Sequence, residues 1–146
     1  MEKACDFCNK NNFATRIYLE NKYFYWLLNR RPLKPGHTLI IPKKHCLALT
    51  DLTTEENSLL LNDLKKYLPQ LLKVFKAVGY NLAINFSETA GQTVPHLHIH
   101  IVPRPQSDST EKVDYVRAEF YRNTPEINRT LLTEQEINQQ IKLLNQ

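Results

Sequence analysis

Gly91-Gln92-Thr93-Val94-Pro95-His96-Leu97-His98-Ile99-His100-Ile101-Val102 contains three of the chain's five histidines, each followed by an apolar residue. Successive side chains of a strand point to opposite faces, so a strand over His96–Val102 places the three histidines on one face and the aliphatic residues in a core. A row of imidazoles contributes little to folding and suits phosphate, metal or proton chemistry. This stretch is therefore the first candidate for a functional site.

The sequence on either side predicts four more strands and two helices. Apolar and β-branched runs predict strands at Ala14–Glu20, Tyr23–Leu28, Thr38–Ile41 and Leu82–Phe86. The leucine spacing over Asp51–Val78 predicts one long helix, which begins at the capping box Thr53-x-x-Glu56, is kinked or broken at Pro69 and ends at Gly79. A second box, Thr133-x-x-Glu136, predicts a C-terminal helix over about 133–145. The predicted fold class is α+β, a five-stranded antiparallel sheet with one long helix and a C-terminal helix.

Length and charge narrow the class of protein. The 146 residues fit a single domain over 1–146. Neither a secretory signal nor a run of roughly 18 apolar residues is present, so we expect a cytoplasmic protein that does not bind a membrane. The net charge of +4 suits an anionic substrate and is too small to indicate nucleic-acid binding.

The three cysteines do not indicate a disulfide framework. Cys5 and Cys8 form a C-x-x-C pair, but no predicted strand precedes the pair and no βαβ pattern surrounds it. These observations favour half of a metal site over a redox motif, with a thiol pair that binds nothing as the alternative. Cys46, which follows His45, is interpreted as a small buried or half-buried residue.

Two segments resemble the histidine-triad (HIT) superfamily. The first is the histidine stretch, since the family signature is His-φ-His-φ-His-φ-φ, with φ apolar, preceded by Gly-Gln-Thr/Ser. The second is Pro35-Gly36-His37-Thr38-Leu39-Ile40-Ile41-Pro42, which resembles the family's Pro-Gly-His-x-Leu-φ-φ-Pro segment. The resemblance covers a core of about residues 4–105 and leaves the rest as a C-terminal extension.

The resemblance implies a nucleotide hydrolase or transferase that acts at the α-phosphate. His98 would be the nucleophile that takes a nucleoside monophosphoryl group, and the main-chain carbonyl of His96 would hold its other ring nitrogen. His100 would donate to a non-bridging phosphate oxygen, and His37 would complete the polar cluster behind the triad. Water would then release a nucleoside monophosphate, and this mechanism requires no catalytic metal.

Within the superfamily, three segments resemble the fragile-histidine-triad branch, which cleaves diadenosine polyphosphates. They are Leu28-Asn29-Arg30-Arg31-Pro32, Ala90-Gly91-Gln92-Thr93 and Val102-Pro103-Arg104. The resemblance implies that Asn29 binds the ribose, that Asn85 contacts phosphate, and that Gln92 and Thr93 position the phosphate and leaving group. Arg104 is a candidate for the distal phosphates of a long substrate, with a surface ion pair as the alternative.

The N-terminus departs from that branch, because its Cys-x-x-Cys resembles the opening of many bacterial HIT proteins. There the two cysteines bind zinc together with the histidine of a Pro-x-x-His segment and the first triad histidine. The matching residues are Cys5, Cys8, His45 and His96. Two thiolates and two imidazoles make a closed tetrahedral site. We therefore expect a structural zinc.

Other functions stay open at this point. Hydrolysis of nucleoside phosphoramidates uses the same triad, and a purine-nucleotide-binding module without catalysis is a third candidate. A catalytic zinc on His96, His98 and His100 is disfavoured, because three alternate positions of one strand diverge too far to reach a single ion. The resemblance also implies a homodimer whose two sheets continue across the two-fold axis, which an uncovered edge strand would favour.

Overall fold

The computed structural model describes residues 5–108 and 129–146, which contain five strands and two α-helices. The strands are β1 (Ile17–Glu20), β2 (Phe24–Leu28), β3 (Thr38–Pro42), β4 (Ala77–Ile84) and β5 (Ile99–Pro105), and the helices are α1 (Thr54–Val74) and α2 (Glu134–Leu144). The strands form one antiparallel sheet in the order β1-β2-β3-β5-β4. The predicted α+β class is confirmed. Most of the polar stretch 103–130, for which the sequence predicts no element, lies outside the described residues.

Capping boxes begin both helices, as the sequence predicts. Thr53 N donates to Glu56 Oε2 at 2.7 Å and Glu56 N donates to Thr53 Oγ1 at 3.2 Å. The same reciprocal pair links Thr133 and Glu136. α1 continues through Pro69, so the helix is not broken there. Pro69 is exposed, so water can bond the carbonyl that loses its N–H partner. Neither α1 nor α2 is long and apolar enough to cross a membrane.

The predicted end of the long helix at Gly79 is wrong. α1 ends at Val74, Lys76 takes a left-handed φ of 51°, and β4 begins at Ala77. Pairing of Ala77 with Pro105 at the far end of β5 extends β4 over Gly79. Hydrogen bonds to a distant strand decide the conformation here, and helical spacing of apolar residues does not register them.

The histidine strand begins later than the sequence predicts. β5 starts at Ile99, so His96 and His98 precede the strand and only His100 lies within it. The strand also runs three residues past the predicted end at Val102. The backbone at His96 and His98 is therefore outside the sheet ladder.

The register assigns the two faces of the sheet, because residues paired across antiparallel strands share a face. Trp26, Ile40 and Ile99 share one face and pack in the main core with residues of α1. Leu39 and His100, one position along, share the opposite face. A second cluster of buried residues on that face comprises Phe13, Leu27, Leu39 and Ile41. His100 therefore lies on the face of the sheet away from α1, which also carries this second apolar cluster.

Gly36, in the loop before β3, has a left-handed φ of 81°, and a methyl group there would overlap the ring of Phe75. We expect Gly36→Ala to lower the free energy of unfolding by about 2–5 kcal/mol, because a left-handed alanine costs about 1–2 kcal/mol and overpacking about 1–3 kcal/mol. Denaturant titration measures the change. Gly79→Ala is the matched control, since no atom lies within 4 Å of the added methyl group. Equal losses in the two variants would contradict this explanation.

Candidate active site

A backbone carbonyl two residues earlier orients the ring of His98. His98 Nδ1 donates to the carbonyl oxygen of His96 at 2.8 Å. With its proton on Nδ1, the neutral ring carries its lone pair on Nε2. This is the contact that the resemblance implies for the nucleophile. A neutral imidazole held in this way is a competent nucleophile near pH 7.

His37 and His100 form a hydrogen-bonded pair in which the backbone sets the proton positions. Leu33 N donates to His37 Nδ1 at 3.0 Å, so the proton of a neutral His37 lies on Nε2. That nitrogen lies 3.0 Å from His100 Nδ1 and donates to it. The proton of His100 therefore lies on Nε2. His100 is a hydrogen-bond donor at that atom, as binding of a phosphate oxygen requires.

Burial keeps this pair uncharged. Removal from water, together with the nearby charges of Arg129 and His98, lowers the pKa of His37 to about 3. Burial also holds the pKa of His100 well below its usual value, with His37, His98 and Arg129 as further causes. Neutral rings are what the hydrogen bonds require, because a protonated His37 would present a donor to the N–H of Leu33.

His98 and His100 line a cavity of about 450 Å³. The other lining side chains include three guanidinium groups, from Arg16, Arg30 and Arg31, and two phenyl rings, from Phe7 and Phe13. This volume is typical of sites for small molecules. Guanidinium groups bind phosphates, and apolar rings provide a packing surface for a planar group. The cavity therefore suits a ligand with an anionic part and an aromatic part.

Two of the predicted substrate-binding residues, Asn29 and Thr93, line this cavity. Asn29 is 5% exposed, and its Oδ1 accepts a hydrogen bond from Arg31 N at 3.0 Å. Its Nδ2 lies 3.5 Å from His37 Nε2. Both nitrogens are donors when His37 carries its proton on Nε2, so Asn29 contacts the histidine pair behind the cavity without a hydrogen bond to it.

Gln92 is buried and its side chain is committed to the backbone. Its Nε2 donates to the carbonyls of His96 at 3.3 Å and Leu47 at 3.2 Å, and its Oε1 accepts from Ser87 N at 3.0 Å. The carbonyl of His96 therefore accepts from both Gln92 and His98. Gln92 is thus linked to His98 through this carbonyl, and it does not line the cavity.

Asn85 and Arg104 also lie outside the cavity lining. Arg104 is 7% exposed, and its Nε lies 3.1 Å from Asp108 Oδ2. This is the ion pair that the sequence offered as an alternative, but it is buried and not on the surface. Phosphate contacts by Asn85 and Arg104 stay predictions.

The sequence did not single out Phe7, Phe13 and Arg16, although all three line the cavity. The ring of Phe7 makes edge contacts with His98 at 5.4 Å and His96 at 5.9 Å between centroids. No local pattern distinguishes a phenylalanine in a cavity from one in a core. One feature of the sequence could have indicated Phe7. It lies between Cys5 and Cys8, so a metal bound by these cysteines and His96 would bring it close to the histidines.

Cys5, Cys8, His45 and His96 form the one group in residues 5–108 and 129–146 that could hold a metal ion. Cys5 Sγ and Cys8 Sγ lie 3.4 Å and 3.7 Å from His96 Nδ1, and Cys8 Sγ lies 3.2 Å from His45 Nδ1. Tetrahedral zinc separates such ligand atoms by about 3.4–3.8 Å. His96 Nε2 donates to the carbonyl of Pro42 at 2.9 Å, which leaves the Nδ1 lone pair for a metal. The donor set fits zinc.

The three triad histidines do not converge on one point. The Nδ1 atoms of His98 and His100 are engaged with the carbonyl of His96 and with His37, respectively. His96 directs its Nδ1 towards the cysteines. This arrangement agrees with the sequence argument against a catalytic zinc on all three.

Comparison with known families agrees with the geometry. Residues 10–107 match the sequence model of the HIT domain. The chain belongs to the HIT family. It is 35% identical over 120 residues to the asymmetrical bis(5'-nucleosyl)-tetraphosphatase of Schizosaccharomyces pombe, a match that covers 82% of this chain and 65% of the relative. It is 35% identical over 107 residues to the bis(5'-adenosyl)-triphosphatase of Saccharomyces cerevisiae, covering 73% of this chain and 52% of the relative. The HIT chain thus spans between half and two thirds of these relatives.

Solved structures of HIT proteins share the fold. A hypothetical histidine triad nucleotide-binding protein from Sulfolobus tokodaii aligns with a TM-score of 0.75 at 26% identity, covering 97% of this chain and 89% of the other. A zinc-bound histidine triad family protein from Mycobacterium smegmatis aligns with a TM-score of 0.69 at 29% identity, covering 97% and 93%. The second structure is of interest here because of its metal.

Proposed function

We propose that this HIT protein hydrolyses dinucleoside polyphosphates by transferring a nucleoside monophosphoryl group to His98. The observation that carries the proposal is the pairing of two oriented rings, whose centroids lie 5.0 Å apart. His98 carries its lone pair on Nε2, and His100 carries a proton on Nε2. The names of the two yeast relatives, a tetraphosphatase and a triphosphatase, favour this substrate class.

In the first proposed step, the Nε2 lone pair of His98 attacks the α-phosphorus. A phosphorus–nitrogen bond forms while the bond to the bridging oxygen breaks, and the remaining nucleoside polyphosphate leaves as an anion. The Nδ1 proton stays on His98, where the carbonyl of His96 stabilises the positive charge that develops on the ring. His100 Nε2 donates to a non-bridging oxygen as negative charge grows there.

In the second step, water attacks the same phosphorus. The electrons of the phosphorus–nitrogen bond return to His98, a nucleoside monophosphate is released, and the proton from water passes to solvent. Arg16, Arg30 and Arg31 bind the phosphate chain, as guanidinium groups do. Asn29 binds the ribose in this proposal, and the ring of Phe7 packs on the base.

We expect the protein to release adenosine monophosphate from diadenosine triphosphate or tetraphosphate, and His98→Ala to slow release by at least about 10³-fold, because the nucleophile is lost. Chromatography of the products measures turnover. Retained binding of adenosine monophosphate by His98→Ala is the control for folding. Preferred cleavage of adenosine phosphoramidate would contradict the proposed substrate class but would agree with the proposed role of His98 as the nucleophile. Tight nucleotide binding with no turnover of any substrate would favour a binding module.

We also propose that Cys5, Cys8, His45 and His96 hold a structural zinc. Cys8→Ser is expected to reduce the metal content from about one zinc per chain to near zero, because a closed site needs all four ligands. Elemental analysis of the purified protein measures the content. Cys46→Ser is the matched control, since this buried cysteine lies outside the group and should leave the zinc in place. The same metal content in both variants would contradict the assignment.

The homodimer implied by the resemblance is the third part of the proposal. β4 is an edge strand, and Tyr80, Leu82 and Ile84 on it are 47%, 48% and 37% exposed. These side chains share a face with Ile101 and Ile99, so they extend the apolar face of the sheet beyond its helix cover. A second copy paired along β4 would bury them.

Leu82→Glu is therefore expected to convert a dimer into a monomer, because pairing along β4 would then bury the charge of the new carboxylate. Light scattering during gel filtration measures the mass. Leu143→Glu on α2 replaces a leucine of similar exposure, 43%, away from this edge. A wild-type monomer, or equal masses for the two variants, would contradict the proposed interface.

A further inference from the structure

A buried ion triad lies outside the cavity and is not used by the reaction proposed above. Asp108 Oδ1 lies 2.7 Å from Lys34 Nζ, and Asp108 Oδ2 lies 3.1 Å from Arg104 Nε. The side chains of Asp108 and Arg104 are 5% and 9% exposed, and that of Lys34 is 23% exposed. Lys34 belongs to the loop before β3, and Arg104 belongs to β5. The carboxylate thus connects this loop to the strand that carries His100.

Stability alone is a poor explanation for this triad. Among the described residues, Arg104 Nη1 and Nη2 find no hydrogen-bond partner, and the contact of Nε with Asp108 lacks hydrogen-bond geometry. Buried charges with unmade hydrogen bonds often stabilise a protein less than apolar side chains of the same size. This ion triad is better suited to holding two segments of the chain in one relative position.

The loop that the triad anchors sets the proton positions of the histidine pair. Lys34 follows Leu33, whose N–H donates to His37 Nδ1 at 3.0 Å. The carbonyl of Lys34 accepts from His37 N at 3.0 Å. Two adjacent residues of the loop therefore hold the ring and the backbone of His37. His37 in turn donates to His100.

We infer that Asp108 is a positioning residue for the phosphate-binding donor of His100. Asp108 binds Lys34 of the loop and Arg104 of β5 at the same time, and this contact fixes the loop that contains Leu33. The loop holds His37 in the position from which it places the proton of His100 on Nε2. Asp108 does not touch the substrate. The kinetic part of this inference rests on the proposed hydrolysis, whereas the structural part does not.

The kinetic test uses Asp108→Asn, which keeps the shape of the side chain and removes its charge. We expect kcat to fall about tenfold and KM to change less than about twofold, since a displaced donor weakens binding of the transition state more than that of the substrate. Asp108→Glu should recover part of the loss by restoring the charge. Glu55→Gln is the matched control, because it removes an exposed ion pair with Lys22. Unchanged kcat in Asp108→Asn would overturn the inference.

Hydrogen exchange of backbone amides provides a readout that does not depend on turnover. We expect the amide of Leu33 to exchange at least about tenfold faster in Asp108→Asn, and that of Leu39 in β3 to stay unchanged. Unchanged exchange at Leu33 would overturn the inference. Equal acceleration at Leu33 and Leu39 would also overturn it, since that result indicates a general loss of stability.

If Asp108→Asn does not fold, Lys34→Met removes the more exposed partner, keeps an apolar side chain of similar length and should give the same changes. If the wild-type protein cleaves no dinucleotide, the proposed function fails, and exchange at Leu33 still decides whether Asp108 holds the loop.

Discussion

The carbonyl oxygen of His96 accepts hydrogen bonds from His98 Nδ1 at 2.8 Å and from Gln92 Nε2 at 3.3 Å, and the orientation of the His98 ring depends on it. This carbonyl is available because β5 begins only at Ile99. Within β5, which lies between β3 and β4, backbone carbonyls are taken up by neighbouring strands. The late start of the strand is therefore what allows a backbone group to hold an imidazole.

The second constraint is that the histidine pair stays neutral while the cavity stays cationic. Burial lowers the pKa of His37 and His100, so positive charge at the cavity comes from Arg16, Arg30 and Arg31. Charge and proton donation are thus carried by different residues. Guanidinium groups attract a polyphosphate at any physiological pH. The direction of each proton is set separately, by the backbone N–H of Leu33.

The N-terminal segment closes the site from the face of the sheet away from α1. Cys5 and Cys8 lie beside His96, and Phe7 between them contacts the ring of His98. One residue, His96, therefore offers its ring nitrogen to the metal group and its carbonyl to the ring of His98. Order in the metal group and order in the active site are linked through that residue.

Local patterns of the sequence predicted both capping boxes, the α+β class, the alternating histidines and the Cys-x-x-Cys half of the metal group, because each depends on residue spacing. The other half, His45 and His96, came from the family resemblance. The start of β4, the continuation of α1 through Pro69, the place of Phe7 and the triad around Asp108 were decided by tertiary structure. Asp108 and Lys34 are 74 positions apart, and Cys8 and His96 are 88 apart. A short pattern carries no record of such distant pairs, since only the packed chain brings their atoms together.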